Sequence, residues 1–172
     1  MNERLKEAIR SIPNFPKAGI LFRDITTLLK DKEAFAEAVE TLAARHKRKG
    51  IAKVVGMESR GFILGAPMAY LLGAGFVPVR KKGKLPAETY SATYQLEYGA
   101  DHLEIHRDAI EHGEEVLIVD DLLATGGTAV ATLQLLSNFD VKIAGLDFLI
   151  ELTELNGRDK LKGHDVFALI QF

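Results

Sequence analysis

Apolar positions along the chain fall into two kinds of run. Short blocks rich in valine and isoleucine predict strands at Lys53 to Met57, Phe76 to Arg80, Val116 to Val119, Ile143 to Ile150 and Val166 to Ile170. Helical spacing predicts helices between most of them. The clearest helix runs from about Lys32 to Lys49, where Phe35, Val39, Leu42 and Ala43 form one stripe and Asp31 stands where a capping side chain belongs. The basic run from His46 to Lys49 then falls at the end where the helix dipole favours cations. Glu3 to Ser11 reads as a short amphipathic helix, because its acids and its lack of an apolar core do not suit a leader peptide.

Gly61 to Val79 carries no charge and is long enough to suggest a membrane span. Its punctuation argues for two buried elements instead. Pro67, Gly73, Gly75 and Pro78 divide it into a helix from about Gly61 to Leu72, a turn, and a strand, with a bend expected at Pro67. Apolar strands alternating with helices predict an α/β chain, whose central, mostly parallel, twisted sheet is flanked by helices. Ligands then belong at the carboxyl ends of the strands. The long irregular stretch is Lys81 to Asp101, although Ser91 to Tyr98 alternates enough for a hairpin.

The chemistry gathers at those strand ends. Val116 to Thr128 reads Val-Leu-Ile-Val-Asp-Asp-Leu-Leu-Ala-Thr-Gly-Gly-Thr. A buried strand there reaches the surface at Asp120 and Asp121, and the turn Ala124, Thr125, Gly126, Gly127, Thr128 opens a helix. Backbone N–H groups converging on a helix start make an anion site. Carboxylates repel phosphate but accept hydrogen bonds from vicinal hydroxyls, so acids beside an anion turn describe a ribose 5-phosphate. Neither a Gly-Lys-Ser/Thr phosphate loop nor a Gly-x-Gly-x-x-Gly fingerprint occurs. Glu58-Ser59-Arg60-Gly61 also ends a strand and opens a helix, which suits a second anion such as pyrophosphate. Arg80-Lys81-Lys82-Gly83-Lys84 adds cations at the same edge. Alone, that run would read as a solvated basic loop; beside two anion sites it joins the substrate envelope.

Composition narrows the function further. The chain has 172 residues, a formal charge of −2 and no cysteine. One compact domain over residues 1–172 is expected. The charge disfavours nucleic acid as a partner, nothing addresses the chain to a membrane, and the cysteine count suits the cytoplasm. His102 and His106 have helical spacing, yet no His-Glu-x-x-His arrangement exists and no zinc site is expected.

The segment 116–128 resembles the motif with which type I phosphoribosyltransferases bind 5-phosphoribosyl 1-pyrophosphate (PRPP). Phe15 to Ile25, Gly56 to Phe62, Val79 to Pro86 and Leu96 to Gly99 are similar, in order and spacing, to segments of the adenine phosphoribosyltransferases in that family. The likeness covers nearly the whole chain. It implies the type I fold with a small hood, formed by a flexible loop over residues 81–101, and with residues 1–30 supplying a helix and a base-binding loop. It implies transfer of phosphoribosyl from PRPP to adenine, giving AMP and pyrophosphate in purine salvage.

The resemblance also implies a set of roles. Ala124 to Thr128 would hold the 5-phosphate, and Asp120 and Asp121 the ribose. Ser59, Arg60, Arg80, Lys81 and Lys84 would hold pyrophosphate, the last three reaching a neighbouring subunit's site. Phe22 would stack on adenine while backbone groups of Leu21 and Arg23 read its edge. Glu97 would move a proton at the purine imidazole, with Arg60 as its catalytic companion and Tyr98 in the hood. Side-chain chemistry by itself does not choose Glu97 over Glu88 or Glu104, and without the family Phe22 would read as core. Mg²⁺ would arrive on PRPP without a dedicated protein cage, and a cytoplasmic homodimer is implied.

Overall fold

The computed structural model describes residues 3–95 and 100–172. Its elements in chain order are α1 (Glu3–Glu7), β1 (Arg10–Pro13), β2 (Leu21–Asp24), α2 (Thr26–Lys30), α3 (Lys32–Ala44), β3 (Lys53–Met57), α4 (Arg60–Leu72), β4 (Gly75–Lys81), β5 (Thr89–Gln95), β6 (Ala100–His106), β7 (Glu115–Leu123), α5 (Gly127–Leu136), β8 (Lys142–Glu151) and β9 (Val166–Gln171). Seven strands form one sheet in the order β5-β6-β4-β3-β7-β8-β9, and β1 pairs with β2 in a separate ribbon. Strands β4, β3, β7, β8 and β9 are mutually parallel, whereas β6 lies antiparallel to β4 and β5.

Burial explains why the central strands read as unbroken apolar runs. Successive side chains of a strand face opposite sides. Val54, Leu117 and Val119 therefore enter one hydrophobic cluster with Leu28, Leu42, Leu64 and Met68 of the α2, α3 and α4 layer. Their neighbours Val55, Val116 and Ile118 enter a second cluster with Leu135 and Leu136 of α5. A strand between two such layers has no face left for a polar residue. α4 runs through Pro67 and ends on Gly73, whose φ of 66° supplies the left-handed residue that stops a helix. α3 starts as its sequence predicts, with the Asp31 carboxylate accepting a 2.8 Å hydrogen bond from the Ala34 amide.

Four expectations need correction. The first helix ends at Glu7, because Arg10 to Pro13 pair with Asp24 to Leu21, and the residue before a proline favours extended backbone. α3 stops at Ala44: Arg45 and His46 instead reach back to Asp147 on β8, at 2.6 Å and 2.9 Å. The stretch 81–101 contains β5, whose pairing runs from Thr89 with His106 to Gln95 with Ala100. His102 and His106 thus sit on a strand, where His102 Nδ1 lies 2.9 Å from Thr93 Oγ1 and His106 Nε2 accepts from the Ala87 amide. Finally, β7 continues to Leu123, so Asp120 and Asp121 lie inside the strand, each only 7% exposed, rather than at an open edge.

Among the described residues, no helix is long and apolar enough to cross a membrane. Leu117, fully buried in β7, tests the core. Leu117→Ala is expected to lower unfolding stability by about 2–5 kcal/mol through lost burial and the cavity left behind. Urea titration checks this, with the slope of free energy against denaturant unchanged.

Candidate active site

β7 carries two carboxylates where its neighbours carry apolar side chains, and the surroundings show how this is tolerated. The Asp121 amide donates to Asp120 Oδ1 at 2.9 Å. Arg60, the first residue of α4, places its Nε 2.6 Å from Asp121 Oδ2. That approach depends on Gly61: a Cβ there would lie 2.9 Å from both Asp120 Oδ1 and the Val119 carbonyl oxygen. Burial raises the Asp120 pKa well above the ordinary aspartate value, and the charge of Asp121 adds to the rise. Burial raises Asp121 as well, while Arg60 pulls it back.

Beyond the acids the chain turns sharply into α5. Gly126 has a φ of 79° and caps the helix, which begins at Gly127. The left-handed residue lets the loop Ala124 to Thr128 fold back so that the helix start faces the acids. On the other side of the pair, β3 runs into Glu58 and Ser59, joined by a cis peptide bond, and then into α4. These pieces enclose an open cleft of about 440 Å³ lined by Glu58, Ser59, Arg60, Tyr94, Asp120, Asp121, Leu122 and Ala124 to Thr128. Two loop-to-helix turns thus line one cleft with an acid pair, a layout suited to a sugar carrying phosphate groups on two sides.

The basic segment is anchored beside this cleft. Glu58 Oε2 accepts from Arg80 Nε at 3.3 Å and from the Lys81 amide at 3.0 Å. Although burial opposes its ionisation, the Lys81 amide and Arg80 hold the Glu58 carboxyl below its usual pKa. Arg80 also donates to the Lys84 carbonyl, Lys81 Nζ lies 3.2 Å from Asp101, and the Gly83 amide donates to Glu104. Tyr94, on β5, faces the cleft and donates to Asp101; burial, then the negative charge of Asp101, pushes its pKa up to about 12.

The early segment Leu21 to Asp24 is β2, and it comes close through Phe22, whose ring centroid is 5.7 Å from the Arg60 guanidinium carbon and packs edge-on against Phe15. Leu21 is exposed. The Arg23 side chain is occupied elsewhere, over the Phe172 ring at 3.8 Å and on Ser11. Asp24 ties β2 to β1, its pKa lowered to about 2 by hydrogen bonds from Thr26 and then Arg10. Glu97 and Tyr98 lie outside the described residues.

Glu58 and Tyr94 lie in segments that the sequence singles out, but the partners that fix them, Arg80 and Asp101, show only in the fold. Gly157 gives no signal at all: it lies in a connection that looks like bare scaffold, and its carbonyl oxygen would lie 2.7 Å from a Cβ on Gly126. No cluster of three or more histidine, aspartate or glutamate side chains able to hold a metal occurs among the described residues.

The buried acids make stability depend on pH. An unfolded aspartate releases its proton near about pH 3.9. Folded Asp120 keeps its proton to higher pH, so the native state binds more protons and stability falls as pH rises through that interval. Asp120→Asn keeps an acceptor for the Asp121 amide and removes the penalty. It is expected to raise the melting temperature at neutral pH, with the gain shrinking towards zero near about pH 4. Equal gains at both pH values in thermal melts would refute the assignment.

Residues 26–168 match the family model described as phosphoribosyl transferase domain. The chain is 56% identical to the adenine phosphoribosyltransferase of Halothermothrix orenii over 97% of its own length and 98% of the relative's. It superposes on the crystal structure of the adenine phosphoribosyltransferase of Thermoanaerobacter pseudethanolicus with a TM-score of 0.95 and 53% identity, covering all of both chains. The enzyme from Saccharomyces cerevisiae, solved with an imino-altritol bisphosphate and adenine, gives a TM-score of 0.92 at 43% identity over 97% of each chain. The mostly parallel sheet flanked by helices is the type I fold of these structures. On this match, and with relatives more than half identical along nearly their whole length, the chain belongs to the phosphoribosyltransferase family, among the adenine phosphoribosyltransferases.

Proposed function

We propose that the chain, acting as a single domain, joins adenine to the phosphoribosyl group of PRPP, releasing AMP and pyrophosphate in purine salvage. The observation that carries this reading is the buried pair Asp120 and Asp121 in one cleft with two loop-to-helix turns. In this assignment Ala124 to Thr128 receive the 5-phosphate on backbone amides at the start of α5 and on the hydroxyls of Thr125 and Thr128. Asp120 and Asp121 accept hydrogen bonds from the ribose hydroxyls. Ser59 and Arg60 hold pyrophosphate, supported by Arg80, Lys81 and Lys84 along the edge that Glu58 anchors. Phe22 stacks on adenine, and Leu21 and Arg23, two apart on β2, present their backbone groups along one edge of that strand.

The geometry suits substitution at the anomeric carbon. As the bond to pyrophosphate breaks, positive charge develops on the sugar and negative charge on the leaving group. Burial, which makes ionised acids costly, makes a neighbouring cation correspondingly favourable to them. Arg60, paired with Asp121, answers the negative charge on the leaving group, and the acids answer the positive charge on the sugar. Glu97 takes the proton that adenine loses, and Tyr98 with the hood excludes water from the electrophilic sugar. Asp120 and Asp121 are oxygen donors of the kind Mg²⁺ prefers, and they would meet it through water or the ribose hydroxyls. When bound with PRPP, the ion supplies charge neutralisation on pyrophosphate.

We place the protein in the cytoplasm, in keeping with its cysteine-free sequence. Its charge of −2 gives no basic excess of the kind a nucleic-acid surface needs. A homodimer is supported by α4, whose residues Ile63, Ala66, Pro67, Tyr70 and Leu71 follow helical spacing on its outer side. Ile63, Ala66 and Leu71 are exposed and Tyr70 is 84% exposed, an apolar stripe of the kind that subunits cover. The same helix begins at Arg60, so subunit contact there would brace the site.

The deciding experiment supplies purified protein with PRPP, Mg²⁺ and each of adenine, hypoxanthine, guanine, xanthine and orotate. AMP is the expected nucleotide, formed with equimolar pyrophosphate; comparable turnover of another base would remove adenine as the substrate, and PRPP binding without turnover would leave a binding protein. Glu97→Ala is expected to lower turnover by roughly 10²–10⁴-fold with little change in the KM for PRPP. Tyr70→Asp is expected to shift the sedimentation coefficient from dimer to monomer, and a persistent dimer would rule out the α4 face.

A further inference from the structure

The connection after β8 contributes no side chain to the cleft, yet its backbone touches the loop assigned to the 5-phosphate. A Cβ built on Gly157 would collide with the Ala124 carbonyl oxygen and lie 2.9 Å from the Gly126 amide nitrogen. Reciprocally, a Cβ on Gly126 would lie 2.7 Å from the Gly157 carbonyl oxygen. Two stretches of main chain therefore pack against each other with no side chain between them. Neither has a flexible group that could yield, so any larger residue must move one backbone or the other.

The residue after Gly157 holds this contact in place. Arg158 meets Glu151, at the end of β8, through two hydrogen bonds of 2.9 Å and 2.6 Å. Its remaining arm donates to the Val166 carbonyl of β9 at 2.6 Å. Glu151 is buried, and Gln171 donates to it from β9 at 3.0 Å. The arginine forks thus fasten the connection to the two outermost parallel strands at the point where Gly157 meets the loop. Such paired forks fix orientation as well as distance.

We infer that Gly157 and the Glu151–Arg158 pair are positioning residues for PRPP: they set the height of Ala124 to Gly126, and hence the convergence of the amides that receive the 5-phosphate. The inference rests on the assignment of that loop to the 5-phosphate. A displaced cradle loses hydrogen bonds to the phosphate while leaving the pyrophosphate turn and the base strand untouched, so its signature is selective among ligands.

The test compares parent, Gly157→Ala, Arg158→Lys and Thr128→Ala by calorimetric binding of ribose 5-phosphate and of inorganic pyrophosphate, together with steady-state kinetics. Gly157→Ala is expected to raise the Kd for ribose 5-phosphate and the KM for PRPP by about tenfold or more, with kcat at saturating PRPP, the KM for adenine and the Kd for pyrophosphate within about twofold of parent. Arg158→Lys, which keeps the charge and loses the fork, is expected to move the same two constants less; it carries the test if the alanine variant does not fold. Parent-like ribose 5-phosphate affinity in both variants overturns the inference. So does an equal loss for every ligand with a lowered melting temperature, which would mark a role in folding alone. Thr128→Ala separates the two layers of the argument: if it loses ribose 5-phosphate while the Gly157 and Arg158 variants do not, only this inference fails. If it too binds like parent, the loop assignment falls and takes the inference with it.

Discussion

Burying Asp120 beside Asp121 is the constraint around which the rest of the molecule is arranged. Burial raises the proton affinity of both carboxylates, and the charge of Asp121 raises that of Asp120 further, so the ionised pair opposes folding. What holds them is local and specific: the Asp121 amide on Asp120, and Arg60 on Asp121. Arg60 reaches that position only because Gly61 lets α4 close on β7, so a missing side chain on one element permits a charge on another. The stability for this arrangement comes from the apolar layers on both faces of β3 and β7, whose burial is large enough to tolerate a costly polar pair.

From the acids outward, each working segment is held by charged residues that do not themselves enter the chemistry. Glu58 fastens the basic strand end through Arg80 and the Lys81 amide. Asp24 fastens the ribbon of β1 and β2 through Arg10 and the amide of Thr26. Arg158 and Glu151 fasten the connection that backs the turn Ala124 to Gly126. On the far side of β8, Arg45 and His46 converge on buried Asp147 and draw the end of α3 against the sheet. These pairs have fixed geometry over short distances, which apolar packing alone does not confer. A transfer reaction that depends on position and electrostatics needs that rigidity in the segments that line its cleft.

The parallel strand order concentrates this chemistry. With β4, β3 and β7 adjacent and parallel, the ends of all three open on the same side. Arg80 and Lys81, then Glu58 and Ser59, then Asp120 and Asp121 follow in that spatial order. Their separation along the chain is large, and their proximity is a consequence of sheet topology.

Much of this was legible in the chain itself. Apolar runs located the five parallel strands because a strand buried on both faces has no polar position to disguise it. The turn at Gly126 was legible because only a few residue types suit a left-handed cap before a helix, and Asp31 announced its helix for a similar local reason. What depends on partners distant in sequence was not. The β1 and β2 ribbon, the β5 and β6 hairpin and the early end of α3 are decided by pairings with residues elsewhere in the chain, which outweigh weak local preferences. Asp120 and Asp121 were expected at an open edge because a charge normally marks one; only the folded chain shows them enclosed by Gly61 and Arg60. Gly157 carried no signal, since the reason it must be small is a carbonyl more than thirty positions away. The sequence by itself determined the five parallel strands and the left-handed turn before α5, because those follow from short-range sterics and burial. The tertiary structure alone decided which acids are withdrawn from water and what fixes the turns in place, because both depend on contacts between remote parts of the chain.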